Sequence, residues 1–373
     1  MPRTGRDPAH PRTRPGGRAG TGRAVVALSS LAIAAAGVTV AGAPGASGAP
    51  AANRVAGAGV ARAGRATTAT AAGRATGTAS VAYAGSLAYL DEKVVGPAFS
   101  SATGYAYQGR GAGSDALSQE ISSGEITPNV FESVGAAPIT ALEPKFTRWY
   151  VQFAASPLVV AFNPSGPYGH ELAAISSGRR PVRDLFALMA RPGFALGRTD
   201  PNLDPQGAAF VEMVELAQRT FHLPAGTAHA ILGRGALGGS SSPEIFDETA
   251  LEPRLQAGQL DAASAYLSQA VQLHLHYISL PASIDFGNPA DAASYAKASV
   301  RLRSGTVKTG KPLVVDITTI GATDAAAADA FVAYALSAKG RAEYRAGGYT
   351  LLAPSVHGTR ADVPASVLGE LSS

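Results

Sequence analysis

Three short stretches carry polar groups at places where helices begin. Gly85-Ser86 follows the apolar run "SVAYA", Gly113-Ser114 follows "GYAYQGRGA", and the third is "RTDPNLDPQGAAF", residues 198–210. In the third, Asp204 has the chemistry of an N-cap, and Pro205 suits a first helical turn, where its missing N–H costs nothing. Apolar residues at Phe210, Val211, Val214 and Ala217 then follow at helical spacing. The same logic makes Ser86 and Ser114 predicted N-caps. Helix starts carry unpaired N–H groups and partial positive charge, so they hold anions.

A hydrogen bond to a charged group contributes roughly 1.5–3 kcal/mol, so five or six would give about 8–18 kcal/mol before association costs of at least ~4 kcal/mol. Hydroxyls and N–H groups from three converging helix starts could therefore hold a small anion at micromolar or tighter affinity without Arg or Lys. Other chemistry has less support. "GRGALG" (233–238) matches G-x-G-x-x-G but is followed by "GSSSPE" instead of a helix, so it reads as a loop. His274 and His276 are spaced for one strand face, yet no third metal ligand stands near them, and no metal site is expected. Ser86 sits in "AGSLA", not in a G-x-S-x-G elbow, and no acid–base pair shares a motif, so no catalytic residues and no cofactor are assigned.

The elements that must position these residues alternate between strand and helix. "SVAYAGS", "GYAYQGRGAGS", "FALGRTDP", "DAASAY", "HYISLP" and "PLVVDITTI" read as strands, and "WYVQFAASPLVVAFNP" as extended chain. "LAYLDEKVVGPAF", "DALSQEISSG", "PVRDLFALMARPG", a run around Gln269 and the long "DAAAADAFVAYALSAKGRAEYRAGG" read as helices. The fold class is α/β. In an open α/β sheet, the junctions at the carboxyl ends of strands gather around one crevice.

Charge and composition divide the 373 residues unevenly. Residues 1–78 hold ten Arg, no Lys and one acidic residue, a formal +9, and the remainder holds 21 basic and 26 acidic residues, −5. The folded part is mildly acidic, which excludes a basic nucleic-acid surface. Residues 1–43 combine a basic start, the uncharged run "AVVALSSLAIAAAGVTVAGA" (24–43) and a small-residue end, the pattern of an export signal without a twin-arginine pair. Residues 44–79, almost all Ala, Gly, Arg and Thr, are expected to be a linker that cannot bury a core. With no cysteine there is no disulfide and no lipid-bearing thiol. An exported protein, periplasmic or at the cell surface, is the expectation.

Together "YAGSLAYL", "GRGAGSDALSQEI", "WYVQFAASPLVVAFNPSGPYG", "FALGRTDPNLDPQG", "GQLDAASAYLSQAVQLHLHYISLP" and the run from Ala298 to Tyr344 resemble the tungstate/molybdate-binding proteins of ABC importers, in order and spacing, over about residues 80–355. The resemblance implies a two-lobed periplasmic-binding-protein fold of type 2. One lobe would be 80–162 plus 313–373 and the other 163–312, with hinge crossings near Phe162 and Pro312. It also implies a monomer that closes on molybdate or tungstate, catalyses nothing, and delivers the ion to an ABC transporter permease. By the same resemblance Ser86, Ser114, Thr249 and Tyr266 would bind the oxyanion, and Pro205, Gln206 and Gly207 would present backbone N–H groups. Asp204 would match a carboxylate that reaches the metal centre of the oxyanion.

The archaeal-type pattern has a glutamate before the tyrosine and an arginine after it; here these are Ala265 and Leu267. Two readings follow. Asp204 ligates the oxyanion's metal alone, or it only caps its helix and the site holds a tetrahedral dianion by hydrogen bonds. The loss of one carboxylate favours the second. Sulfate or another tetrahedral oxyanion, and an oxyanion sensor in place of an importer component, are the alternatives; an enzyme on the same scaffold has no motif to support it.

Overall fold

The structure is a computed structural model that describes residues 76–233 and 244–371. The expected export signal, most of the linker and most of "GRGALG" lie outside the described residues. Thirteen strands are β1 (Thr78–Ala84), β2 (Ala106–Ala112), β3 (Val130–Val134), β4 (Trp149–Ala155), β5 (Leu158–Phe162), β6 (Leu196–Thr199), β7 (Ile245–Phe246), β8 (Ala262–Tyr266), β9 (His276–Ser279), β10 (Ser299–Arg301), β11 (Val307–Thr309), β12 (Val314–Thr319) and β13 (Thr350–Gly358).

Two sheets organise them, in the orders β13-β4-β12-β3-β1-β2 and β7-β6-β8-β5-β9, with β10-β11 as a separate hairpin. Each sheet is the centre of one lobe. In the first, β1 runs parallel to β2 and β3, while β12 is antiparallel to β3 and β4. In the second, β6 runs parallel to β7 and β8, and β5 is antiparallel to β8 and β9. Central strands such as β3, β5 and β8 are buried along their whole length, as expected where helices cover both faces. Phe99 and Phe331 pack edge to face in the first lobe, and Phe186, Phe210 and Met213 are fully or almost fully buried in the second.

Several boundaries differ from the sequence reading. The run "WYVQFAASPLVVAF" is two strands in two sheets: β5 pairs with β8 and β9, so the first crossing lies at Ser156–Pro157, ahead of Phe162. The break is local, since Pro157 interrupts the extended run between the two strands. β1 begins at Thr78, inside the expected linker, because Thr78 is pinned at both ends: its N–H donates to Asp324 (3.1 Å) and its C=O accepts from Asn129 (2.8 Å). Asn129 also donates to the Thr323 carbonyl and accepts from Ser80 N–H.

The long helix is two, Ala325–Leu336 and Ala338–Ala346, because Ser337 is extended and its hydroxyl caps the second by accepting from Gly340 N–H at 3.1 Å. His274 is a left-handed turn residue (φ 52°) and β9 starts only at His276, so the two histidines share no strand face. Among the described residues no helix is long and apolar enough to cross a membrane.

Candidate functional site

The carboxyl ends of β1, β2, β6, β7 and β8 lead into Gly85-Ser86, Gly113-Ser114, the turn Asp200–Asp204, Asp247-Glu248 and the helix after Tyr266. Two of these ends belong to the first sheet and three to the second, and they meet across the boundary between the lobes. Ser86 N–H donates to Glu248 Oε1 at 2.9 Å, and Ala116 N–H donates to the Leu203 carbonyl at 3.0 Å. The contact at Gly113 is so close that a Cβ there would sit 2.4 Å from the Leu203 oxygen and 3.0 Å from Asp204 Cβ. Gly85 is close-packed too, though against a side chain, with a Cβ falling 2.7 Å from Glu248 Oε2. At one edge Lys308 of β11 reaches Asp115 at 2.6 Å. A crevice of about 310 Å³ lies here, bordered by Gly113, Asp204, Glu248 and Thr249.

The serines are not N-caps. Gly85–Leu87 is capped by Ala84 and Ser114–Ser123 by Gly113, neither with a side-chain bond, so Ser114 is the first residue of its helix and Ser86 the second of its own. Their hydroxyls are thereby released from capping. Ser86 Oγ is buried with no partner. Ser114 Oγ accepts from Val134 N–H at 3.1 Å, and a hydroxyl so held still has its proton to donate. Tyr266 is 1% exposed and its phenol oxygen has no partner.

Asp204 does two things. Its Oδ1 accepts from Gln206 N–H at 2.9 Å, which caps Pro205–Thr220, and its Oδ2 is buried without a partner. Burial pushes its pKa up to about 6; the Gln206 N–H holds it down, Asp115 adds to the rise and Lys308 opposes it.

Three of the expected binding residues do other work. Pro205 has no N–H and lines a different cavity. The Gln206 N–H is taken by Asp204, and its side chain ties the second lobe together, donating to Gln269 Oε1 (3.1 Å) and accepting from Ser264 Oγ (2.7 Å). Thr249 is exposed, at the crevice border. Gly207 is there for close approach, since a Cβ would meet the Thr199 carbonyl at 2.4 Å.

Glu248 is the residue that sequence reasoning missed. It stands next to Thr249 in "DET", opens the helix Glu248–Gln256, and is 4% exposed. Its Oε2 has no partner. Burial raises its pKa well above the usual carboxylate range, Asp204 and Glu252 add to the rise, and the N–H groups of Gly85 and Ser86 oppose it. Glu248 thus brings a second buried carboxyl, beside Asp204, to the crevice wall. Burial likewise raises the Tyr266 phenol, with Asp204 and Glu248 next in effect, so it stays a donor. On the crevice wall, Thr199 Oγ1, Asp204 Oδ2 and Glu248 Oε2 are buried without a partner. The hydroxyls of Ser86 and Tyr266 are in the same condition but do not border the crevice; Ser86 reaches Glu248 through its N–H, and Tyr266 is near enough to Asp204 and Glu248 for their charges to raise its pKa. No group of three or more His, Cys, Asp or Glu able to hold a metal ion occurs among the described residues.

Comparison with known proteins gives the chain a family. A Haloferax volcanii protein named for an ABC transporter and for molybdenum binding is 30% identical over 236 residues, covering 63% of this chain and 70% of its own length. The molybdate/tungstate-binding protein of Pyrococcus abyssi is 29% identical over 229 residues, 57% of this chain and 65% of that one. Among solved structures, the periplasmic molybdate-binding protein of Azotobacter vinelandii covers 73% of this chain and 99% of its own, at 18% identity and a TM-score of 0.48. The family model for bacterial extracellular solute-binding proteins matches residues 79–350. With two sheet-centred lobes and a crevice where their strand ends meet, the chain is a member of the bacterial extracellular solute-binding proteins.

Proposed function

We propose that the protein captures a tetrahedral metal oxyanion, molybdate or tungstate, between its lobes and delivers it to an ABC transporter permease. The observation that carries the proposal is the cluster of unpartnered buried oxygens: Ser86 Oγ and Tyr266 Oη as donors, with Asp204 Oδ2 and Glu248 Oε2 beside them. Buried polar atoms without partners are rare in folded proteins and call for a ligand that supplies the missing bonds. Ser86, Ser114 and Tyr266 would donate hydroxyl hydrogens to the oxyanion. Glu248, favoured as the neutral acid by its burial, would donate rather than repel, and Asp204 would do the same at mildly acidic pH. The names of the Haloferax and Pyrococcus relatives support this ligand class.

The test is a thermal-shift panel with molybdate, tungstate, sulfate and phosphate, followed by calorimetric titration. A ligand that binds only the folded form raises the melting temperature, by an amount that grows with its concentration over Kd. Molybdate and tungstate should give the largest rises. A larger rise with sulfate would move the assignment to that ion, and no rise with any of the four would refute oxyanion capture. Uptake of the ion by vesicles holding a co-purified permease separates an importer component from a sensor.

A further inference from the structure

A larger cavity of about 510 Å³ lies against one face of helix Pro205–Thr220. Three parts of the fold enclose it. The helix contributes Pro205, Ala208, Ala209 and Glu212, spaced along one face. The first lobe contributes the turn Val134–Pro138 and Gln152 of β4, and the second crossing contributes Pro312, Leu313 and Val314. The β11 hairpin strand adds Val307, an apolar side chain left 46% exposed. The walls are mostly small and apolar, and the volume is in the range that takes small organic ligands.

One polar group in these walls has no structural explanation. Glu212 is 3% exposed, and its Oε1 has no hydrogen-bond partner. Its neighbours on the helix, Phe210, Val211, Met213 and Val214, are core residues, and an alanine or leucine would serve the packing without the cost of burying a carboxyl. Burial pushes its pKa up to about 8, with Lys308 opposing and Glu215 adding, so near neutral pH it is chiefly the uncharged acid, with one donor and one acceptor to offer. Of the other polar side chains on the walls, Gln152 donates to Asp316 (3.3 Å), Asp115 is paired with Lys308 and Thr306 bonds Ser304, while Lys311 is exposed at the rim.

We propose that this cavity is a second ligand site, for a compact apolar molecule bearing one neutral hydrogen-bonding head that pairs with the Glu212 carboxyl, and that its occupation is linked to closure of the crevice. The linkage follows from the walls: an occupant touches both lobes and the crossing between them, so it binds the open and closed arrangements unequally. By reciprocity, the oxyanion and this ligand must then change each other's affinity by the same factor. The cavity site does not depend on which oxyanion the crevice takes; the linkage rests on the proposed function and is tested with tungstate once tungstate binding has been measured alone.

Cyclohexanecarboxamide is a suitable probe, with an apolar ring and an amide that matches a carboxylic acid donor to acceptor. With the full chain, saturation-transfer NMR should show ring contact, and the melting temperature should rise by about 2 °C or more at millimolar probe. Methylcyclohexane, which lacks the head, should shift it less. Two fillings of the cavity from opposite walls, Ala208→Leu and Ala136→Leu, should each abolish the probe's effect; the second keeps the test valid if the first does not fold. Glu212→Leu should weaken the probe by about tenfold or more. Tungstate Kd should change by about threefold or more when the probe is saturating, with the same factor seen in the reverse titration. No binding to the wild type, or binding that survives both fillings, would overturn the site. Binding that leaves tungstate affinity unchanged would overturn the linkage.

Discussion

Gly113→Ala should separate lobe closure from folding. The backbone at Gly113, φ −57° and ψ 134°, is open to any L-residue, so the first lobe by itself pays nothing for a methyl group. The closed arrangement does pay, because that methyl would lie 2.4 Å from the Leu203 oxygen of the other lobe. A backbone carbonyl held at 3.0 Å by Ala116 N–H cannot step aside without breaking that bond. Overpacking of this kind costs typically 1–3 kcal/mol and the lost hydrogen bond about 1 kcal/mol more. If both fall on the closed state, oxyanion capture loses about 2–4 kcal/mol, roughly 30-fold to 1,000-fold in Kd. Titration calorimetry with tungstate measures the loss, and small-angle scattering with saturating ligand should show a more open particle than the wild type. The melting temperature without ligand should stay within a few degrees of wild type. A folded Gly113→Ala protein with Kd within about threefold of wild type would refute the reasoning, because the cross-lobe contact would then not belong to the ligand-bound state.

Other perturbations have opposite signs in different assays. Ser86→Ala and Tyr266→Phe each remove a donor to a charged ligand and should raise Kd about tenfold to 150-fold, yet leave the unliganded protein equally or more stable, since each deletes a buried hydroxyl without a partner. Oxyanion affinity should strengthen as pH falls towards about 6, where the Asp204 carboxyl becomes neutral, and an affinity flat with pH would count against a ligand facing that group. Unliganded stability should follow pH in the same direction for a different reason. Glu212, Glu252 and Asp316 are all pushed up to about 8 by burial, so their contribution is full below the unfolded carboxylate range and is lost as pH rises through about 8. The melting temperature should therefore drop between mildly acidic and mildly alkaline pH, by an amount on the order of 5–10 °C, and Glu212→Gln with Asp316→Asn should flatten the curve.

Much of the architecture could be read from local chemistry. Asp204 and Pro205 announce a helix start, and the cap bond from Gln206 N–H is there. What escaped were features decided by the other lobe. Nothing around Ser86 or Ser114 says that the cap place belongs to Ala84 or Gly113, because an N-cap is defined by backbone angles that residue type only biases. Glu248 was invisible for a related reason: its partner, Ser86 N–H, is 162 residues away. The strand break at Pro157 was legible in principle, since proline interrupts a ladder, but an apolar run on either side hides a change of sheet. Ser337 splits its helix with an ordinary serine, and the break brings Gly340 so near the Tyr334 carbonyl that a Cβ would not fit there.

The bracket that Asn129 forms around Thr78 and Thr323 sets where the folded chain must begin. β1 is interior to its sheet, with β2 on one side and β3 on the other, and its first residue is fastened from above and below. A chain beginning at Gly77 would keep every rung of the ladder, whereas loss of Gly77 would take away the carbonyl that accepts from Ala106 N–H at 3.0 Å, the first bond between β1 and β2.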